Sequence, residues 1–173
     1  MNIKENLIKM IDLSKMALDL SYLSLLEEDS FLDKEIANIQ DEIEKLKFDT
    51  EKLVFKIVDK TERKISILDL LDYIKEVSET AAKITQIKDK EVHPIIKDVL
   101  DEISEKIISI SISKDNVIST KKLSNKYGIK ILMVKRGKER ILPFKKNVLL
   151  KKGDKVFIIG SEFDKDVINE IYK

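Results

Sequence analysis

The 173-residue chain has no cysteine. That excludes a disulfide, a thiolate nucleophile, a cysteine zinc site and an iron–sulfur site built from its own thiolates, and it fits a reducing compartment. The only histidine is His93, so a histidine-rich metal site within one subunit is excluded as well. No run of 18 apolar residues occurs, so no segment is expected to span a membrane. The charged start MNIKENLIKMIDL carries no secretory apolar core, and the location implied is cytoplasmic. Glycine is scarce: the four glycines stand at Gly128, Gly137, Gly153 and Gly160, with none in the first 127 residues. Helix-length periodic segments fill the glycine-free part, and short β-branched runs punctuated by glycine fill the rest. Two modules are therefore expected, each near the size at which a single core is marginal and a partner subunit helps. Abundant Lys, Glu and Ile point to a heat-adapted source.

The near-neutral total charge hides an asymmetry. Residues 1–106 hold 17 Lys/Arg and 25 Asp/Glu, a net of −8, whereas residues 107–173 hold 16 and 7, a net of +9. Opposite fields on one chain can steady docking or steer different partners.

Apolar residues recur at helical spacing through most of the acidic part. A first helix covers Asn6 to Leu26, with Leu7, Met10, Ile11, Ser14, Leu18, Ser21 and Leu25 in its stripe and Ala17, Leu20 and Tyr22 widening it. A second runs from about Phe31 to Val58, on Leu32, Ile36, Ile39, Ile43, Leu46, Leu53 and Ile57. A third begins near Lys64 or Ile67 and continues to about Ile87, on Leu68, Leu71, Ile74, Val77, Ala81 and Ile84. Brief turns make neighbouring helices antiparallel. After a loop or bend at Lys88–His93, Pro94 suits the first turn of a short fourth helix reaching about Lys106. Its inward positions are Ile95, Ile96, Val99, Leu100 and Ile103.

Beyond it, Ile108, Ile110 and Ile112 alternate with Ser109, Ser111 and Ser113, which is a strand with one buried face. Asp115–Asn116 signals a turn. Ser119 or Thr120 caps a short helix that stops before Gly128. Ile129–Lys135 and Glu139–Phe144 form a hairpin around Arg136–Gly137–Lys138. Asn147–Leu150 is a short extended piece, Lys155–Ile159 a last strand and Glu162–Tyr172 a closing helix. The fold class expected is α+β: an antiparallel helical bundle over 1–106, then a β-α-β-β-β-α unit over 107–173.

The residues Ile107–Val167, and within them YGIKILMVKRG at 127–137, Pro143 and KKGDKVFIIG at 151–160, resemble the TrkA-C domain. That domain is the C-terminal half of regulatory gating units of potassium channels and transporters. MIDLSKMALDLSYLSLL at 10–26 and the acidic helix around Glu35–Glu44 resemble the helical domains related to PhoU, the phosphate-uptake regulator. The pair resembles small standalone archaeal and bacterial proteins linked to potassium uptake. The resemblance implies a homodimer, a membrane potassium channel or transporter subunit as partner, and a small anionic ligand such as a cyclic dinucleotide. Some positions depart from the pattern. The paired acidic motifs of PhoU-like metal sites align here with Gln40 and Glu44 and with Glu79 and Lys83, so a glutamine and a lysine replace ligands and no metal is expected. Ser119 replaces a glycine of the TrkA-C pattern. No G-x-G-x-x-G is present, so no dinucleotide-binding half and no cofactor are expected.

Candidate ligand contacts in the basic part are Asn116, Lys121, Lys122, Arg136, Lys138 and Arg140, with turn capping as the competing role of Asn116 and edge protection or solubility that of the cations. The chain is read as a non-enzymatic regulator of cation transport. His93 has no nucleophile or orienting partner in sequence context, and no catalytic residue is assigned. The alternative is a nucleic-acid-binding or phosphate-signalling adaptor using the basic part. Against nucleic acid, Tyr127, Phe144, Phe157 and Phe163 sit in apolar patterns instead of forming a stacking platform.

Overall fold

A computed structural model describes residues 2–87, 94–102, 106–113 and 119–160. In chain order its elements are α1 (Ile3–Glu27), α2 (Ser30–Ile57), α3 (Thr61–Thr85), α4 (Pro94–Glu102), β1 (Lys106–Ser111), α5 (Thr120–Tyr127), β2 (Lys130–Arg136), β3 (Glu139–Ile141) and β4 (Lys155–Gly160). The class is α+β, with three long helices ahead of a small antiparallel sheet. The chain divides into two compact units, Met1–Val92 and His93–Lys173. Helix α4 touches β1 and groups with the sheet unit, whereas the boundary expected at residue 106 put it with the long helices. His93, Asn116, Ile103, Phe163 and the closing helix expected at Glu162–Tyr172 lie outside the described residues.

In the helical unit, α1 starts with a reciprocal cap: the Asn2 side chain accepts from the Glu5 N–H at 2.9 Å, and Glu5 accepts from the Asn2 N–H at 3.0 Å. Two residues join α1 to α2. Glu28 turns the chain in the left-handed region (φ 51°), and the Asp29 carboxylate caps α2 by accepting from the Phe31 N–H at 3.1 Å. Cross-links descend in one helix as they rise in the next, so neighbours are antiparallel. Asn6 meets Thr50 and Ser24 meets Asp33 between α1 and α2, while Lys47 meets Asp72 and Gln40 meets Ser78 between α2 and α3.

Helix α1 buries a run of small residues, Ser14, Ala17, Ser21 and Ser24, which brings both neighbours close. Burying those hydroxyls is tolerable because each donates: Ser14 to Ile11 O, Ser21 to Leu18 O and Ser24 to the Asp33 carboxylate. The α2 core follows the expected stripe through Leu46, but then Thr50 and Val54 point inward instead of Leu53 and Ile57, and Ile57 is exposed at the helix end. In α3, Leu71, Ile74 and Ala81 are buried as expected, while Val77 is exposed and Ser78 and Thr85 take the inward line. The inward line of a helix is set by where its neighbours stand, and small polar residues can occupy it when their hydroxyls bond backward to the helix. In α4, Ile95 and Val99 were expected inward and are exposed; a nine-residue helix beside a sheet edge buries less than a bundle helix would.

The sheet has strand order β1-β4-β2-β3, with every pairing antiparallel. Two cross-strand rows build its core: Ile108–Ile158–Ile131, and Ile110–Val156–Val134–Ile141. Ile131 and Val134 share this face although three positions apart, because the register shifts between Ile131 and Met133. Such a bulge inserts one residue and restores the alternation beyond it. Val148, Leu150, Ile129 and Tyr127 complete the cluster. Helix α5 starts at the Ser119 cap and stops at Gly128, which holds φ 70°; a side chain there is disfavoured by conformation alone. The β2–β3 turn has positive φ at Gly137 and not at Lys138, which fits a type II′ hairpin with glycine first.

One buried polar pair in the helical core is separable by mutation. Asn6 is 2 % exposed and donates Nδ2–H to Thr50 Oγ1 at 2.9 Å, and Thr50 donates to Leu46 O. Among the described residues the Asn6 Oδ1 has no hydrogen-bond partner. Thr50→Val will strand the amide and cost about 1–3 kcal/mol, whereas Asn6→Leu combined with Thr50→Val will recover most of that loss. Urea unfolding of the two singles and the double checks this; a double no more stable than Thr50→Val contradicts it.

Candidate functional site

The sheet unit gathers the basic residues around a fixed point, the carboxylate of Asp154, which is 1 % exposed. Arg136, the last residue of β2, donates Nε–H and Nη2–H to its two oxygens, both at 2.8 Å. The same Nη2 also donates to Leu149 O at 2.8 Å. The Lys151 N–H donates to Asp154 Oδ2 at 2.8 Å, and the Asp154 N–H returns to Lys151 O at 3.1 Å. The backbone of this turn also holds the end of β1: Ile112 donates to Asp154 O and accepts from the Gly153 N–H, both at 2.8 Å. One residue thus ties the approach to β4, the end of β2, the extended piece at Leu149 and the end of β1. Burial pushes the Asp154 carboxyl upward. The Arg136 hydrogen bonds, the Lys151 N–H and the nearby positive charges together outweigh it and hold the group below the ordinary carboxylate value.

The fork geometry of arginine suits this bidentate role. Arg136 was a candidate ligand contact from its place at the hairpin, and its guanidinium is engaged inside the fold. Arg140 donates Nη1–H to Lys138 O at 2.8 Å, across the hairpin end, and Lys138 itself is exposed on the turn. Lys121 and Lys122 are exposed in the first turn of α5. The N–H groups of that turn are already satisfied: Lys121 N–H donates to the Asn147 side chain at 3.0 Å and Lys122 N–H to Ser119 Oγ at 3.3 Å. Thr120 locks the same corner by accepting from Val148 N–H and donating its own N–H to Val148 O. The helix end therefore offers side-chain charge and little backbone donor capacity. Asn116 lies outside the described residues.

Sheet register assembles cations that the sequence does not mark as neighbours. Lys155 of β4 is the cross-strand partner of Lys135 in β2, and Lys135 is the partner of Arg140 in β3. The three cations therefore stand in one cross-strand row, with the Lys155 ammonium also lying over the Phe157 ring at 4.7 Å. Of these three only Arg140 was anticipated; Lys135 and Lys155 were legible only as strand residues, because pairing depends on the register.

In the helical unit the four positions matched to PhoU-like acidic motifs do approach one another across α2 and α3, in part. Lys75 bridges Glu44 at 3.5 Å and Glu79 at 3.1 Å, and Gln40 donates to Ser78 O at 3.2 Å. Hydrogen bonding to Glu79 leads in raising the Lys75 ammonium above its ordinary value, with Glu44 adding to it. Lys83 is exposed. An ammonium thus stands between the two carboxylates. Among the described residues no cluster of three or more His, Cys, Asp or Glu is placed to hold a metal ion, and no helix is long and apolar enough to cross a membrane.

No protein-family model and no curated protein matches the chain.

The buried pair generates a sign-specific prediction. Arg136→Ala leaves the Asp154 carboxylate buried without its main partner, at a cost of about 3 kcal/mol at neutral pH. In the native protein the lowered carboxyl contributes stability that is fully present above the ordinary value of ~3.9 and is lost as pH falls through the lowered one. In the variant, burial dominates and the carboxyl rises, so protonation relieves it. The stability gap between native protein and variant will therefore be wide at pH 7 and narrow toward pH 3, as followed by denaturant unfolding. A gap independent of pH contradicts the assignment.

Proposed function

We propose that the chain is a non-enzymatic, ligand-responsive regulator associated with cation transport, acting as a homodimer whose basic sheet unit receives a small anionic ligand. The observation that carries this reading is the cationic row Lys155–Lys135–Arg140, set on a sheet whose element order, β1-α5-β2-β3-β4, follows the order expected from the sequence pattern. The acidic helical unit then serves as a scaffold or docking surface. In this reading Lys75, seated between Glu44 and Glu79, replaces whatever cation the PhoU-like motifs would hold. A nucleotide ligand matches the chemistry of the row, because its phosphates present several anionic oxygens to cations fixed by the sheet.

The test is a thermal-shift screen with cyclic dinucleotides, adenine nucleotides, potassium, sodium and divalent cations. A ligand at 100 times its Kd stabilises the native state by about 2.7 kcal/mol, enough to raise the midpoint by several degrees. The expected result is a rise with one of the anionic nucleotides that disappears in Lys135→Gln with the unliganded fold intact by circular dichroism. No shift with any compound overturns the ligand-sensing reading. A salt-sensitive shift with any single-stranded or duplex oligonucleotide, indifferent to sequence, favours the nucleic-acid alternative instead.

A further inference from the structure

We propose that two copies of the chain join edge to edge through β1, antiparallel about a twofold axis at Ser109, making one continuous eight-stranded sheet; this specifies the contact of the homodimer in the reading above and rests on it. Strand β1 is outermost in its sheet, and among the described residues no strand pairs with its outer edge. The direction of its polar groups follows from Ile112, which both donates to and accepts from the β4 side. In an antiparallel ladder residues two apart point the same way, so Ile108 and Ile110 also face β4. The backbone groups of Ile107, Ser109 and Ser111 face the outer edge.

Beyond Lys106, that edge carries little of the usual protection among the described residues. From Ile107 to Ser113 the sequence carries no charge and no proline, and the six-residue pairing with β4 runs without a register shift. The opposite edge of the same sheet is guarded: β3 is three residues long and carries Glu139 and Arg140. Natural sheets blunt edges that must stay single and leave clean those that pair.

With the axis at Ser109, Ser109 faces Ser109 of the second copy, Ile107 faces Ser111 and Ile108 faces Ile110. This is the register that uses all the outward groups of 107–111, and it sets isoleucine against isoleucine on the core face. A slip by one residue would oppose inward to outward groups and turn the isoleucines over. The contact is isologous, as a twofold requires.

The absence of native cysteine makes the test direct. In Ser109→Cys the paired positions lie about 5.5 Å apart between Cα atoms, and in Ser111→Cys they lie four residues out of step, about 14 Å apart. A short bifunctional thiol reagent is expected to link Ser109→Cys into a covalent dimer and leave Ser111→Cys single. Ser109→Lys sets two ammonium groups face to face on an exposed position, and light scattering should then report 20.0 kDa where the native chain reports twice that. Equal linking of both cysteine variants, or a Ser109→Lys protein that keeps the doubled mass, overturns the β1 contact and leaves a homodimer through another surface. A native chain of single mass overturns the contact and the homodimer together.

Discussion

The sheet unit depends on one buried carboxylate. Asp154 sits at 1 % exposure in a turn where β1, β2 and the Leu149 segment converge on the start of β4. A carboxylate that deep is tolerable only because Arg136 meets both its oxygens and the Lys151 N–H meets one of them again. The pair need not exceed a well-packed apolar substitute in net stability to matter. Its importance is geometric: a fork fitting a carboxylate admits one orientation, so the end of β2 is fixed against the turn before β4. Gly153, with φ 89°, lets that turn fold back so that its own N–H and the Asp154 carbonyl both reach Ile112.

With those ends fixed, the register of the central strands follows, and so does the composition of each face. The extra residue in β2 places Ile131 and Val134 together in the core and sends Lys135 to the opposite face, opposite Lys155 and Arg140. Without the bulge, alternation from Ile131 would keep Met133 and Lys135 on the core face. The cationic row is thus a consequence of how the chain solves its packing problem. On that same face Met133 and Phe157 are buried, and the Lys155 ammonium lies over the Phe157 ring at 4.7 Å.

Much of this fold was legible in the chain, and the parts that were not have identifiable causes. The alternation of Ile108, Ile110 and Ile112 with serines announced β1, and the Ser119 cap and Gly128 bounded α5, because both signals are local. The α2 stripe held from Leu32 to Leu46 because five bulky residues at helical spacing leave little choice of face. Thr50 and Ser78 were missed as core positions. Hydropathy ranks them below Leu53 and Val77, but a hydroxyl that bonds back to Leu46 O or Lys75 O is no longer a free polar group. Periodicity likewise gives α4 a face but does not say what stands opposite, and in the fold it touches β1.

The candidate site shows the same limit more sharply. In the sequence, Arg136, Lys138 and Arg140 are three equivalent charges around a hairpin. In the fold they differ in kind: Arg136 is engaged with a buried acid, Lys138 stands on the turn with its carbonyl accepting from Arg140, and Arg140 joins a row of cations drawn from three strands. Charge counting alone therefore overstates what the hairpin offers an anion and misses Lys135 and Lys155. An anion meeting this unit encounters a line whose spacing is set by strand separation, about 4.8 Å from one strand to the next. A single carboxylate spans one such step. A ligand carrying two or more phosphates could span the whole row, so within the proposed reading a multiply charged anion suits it better than a single carboxylate does.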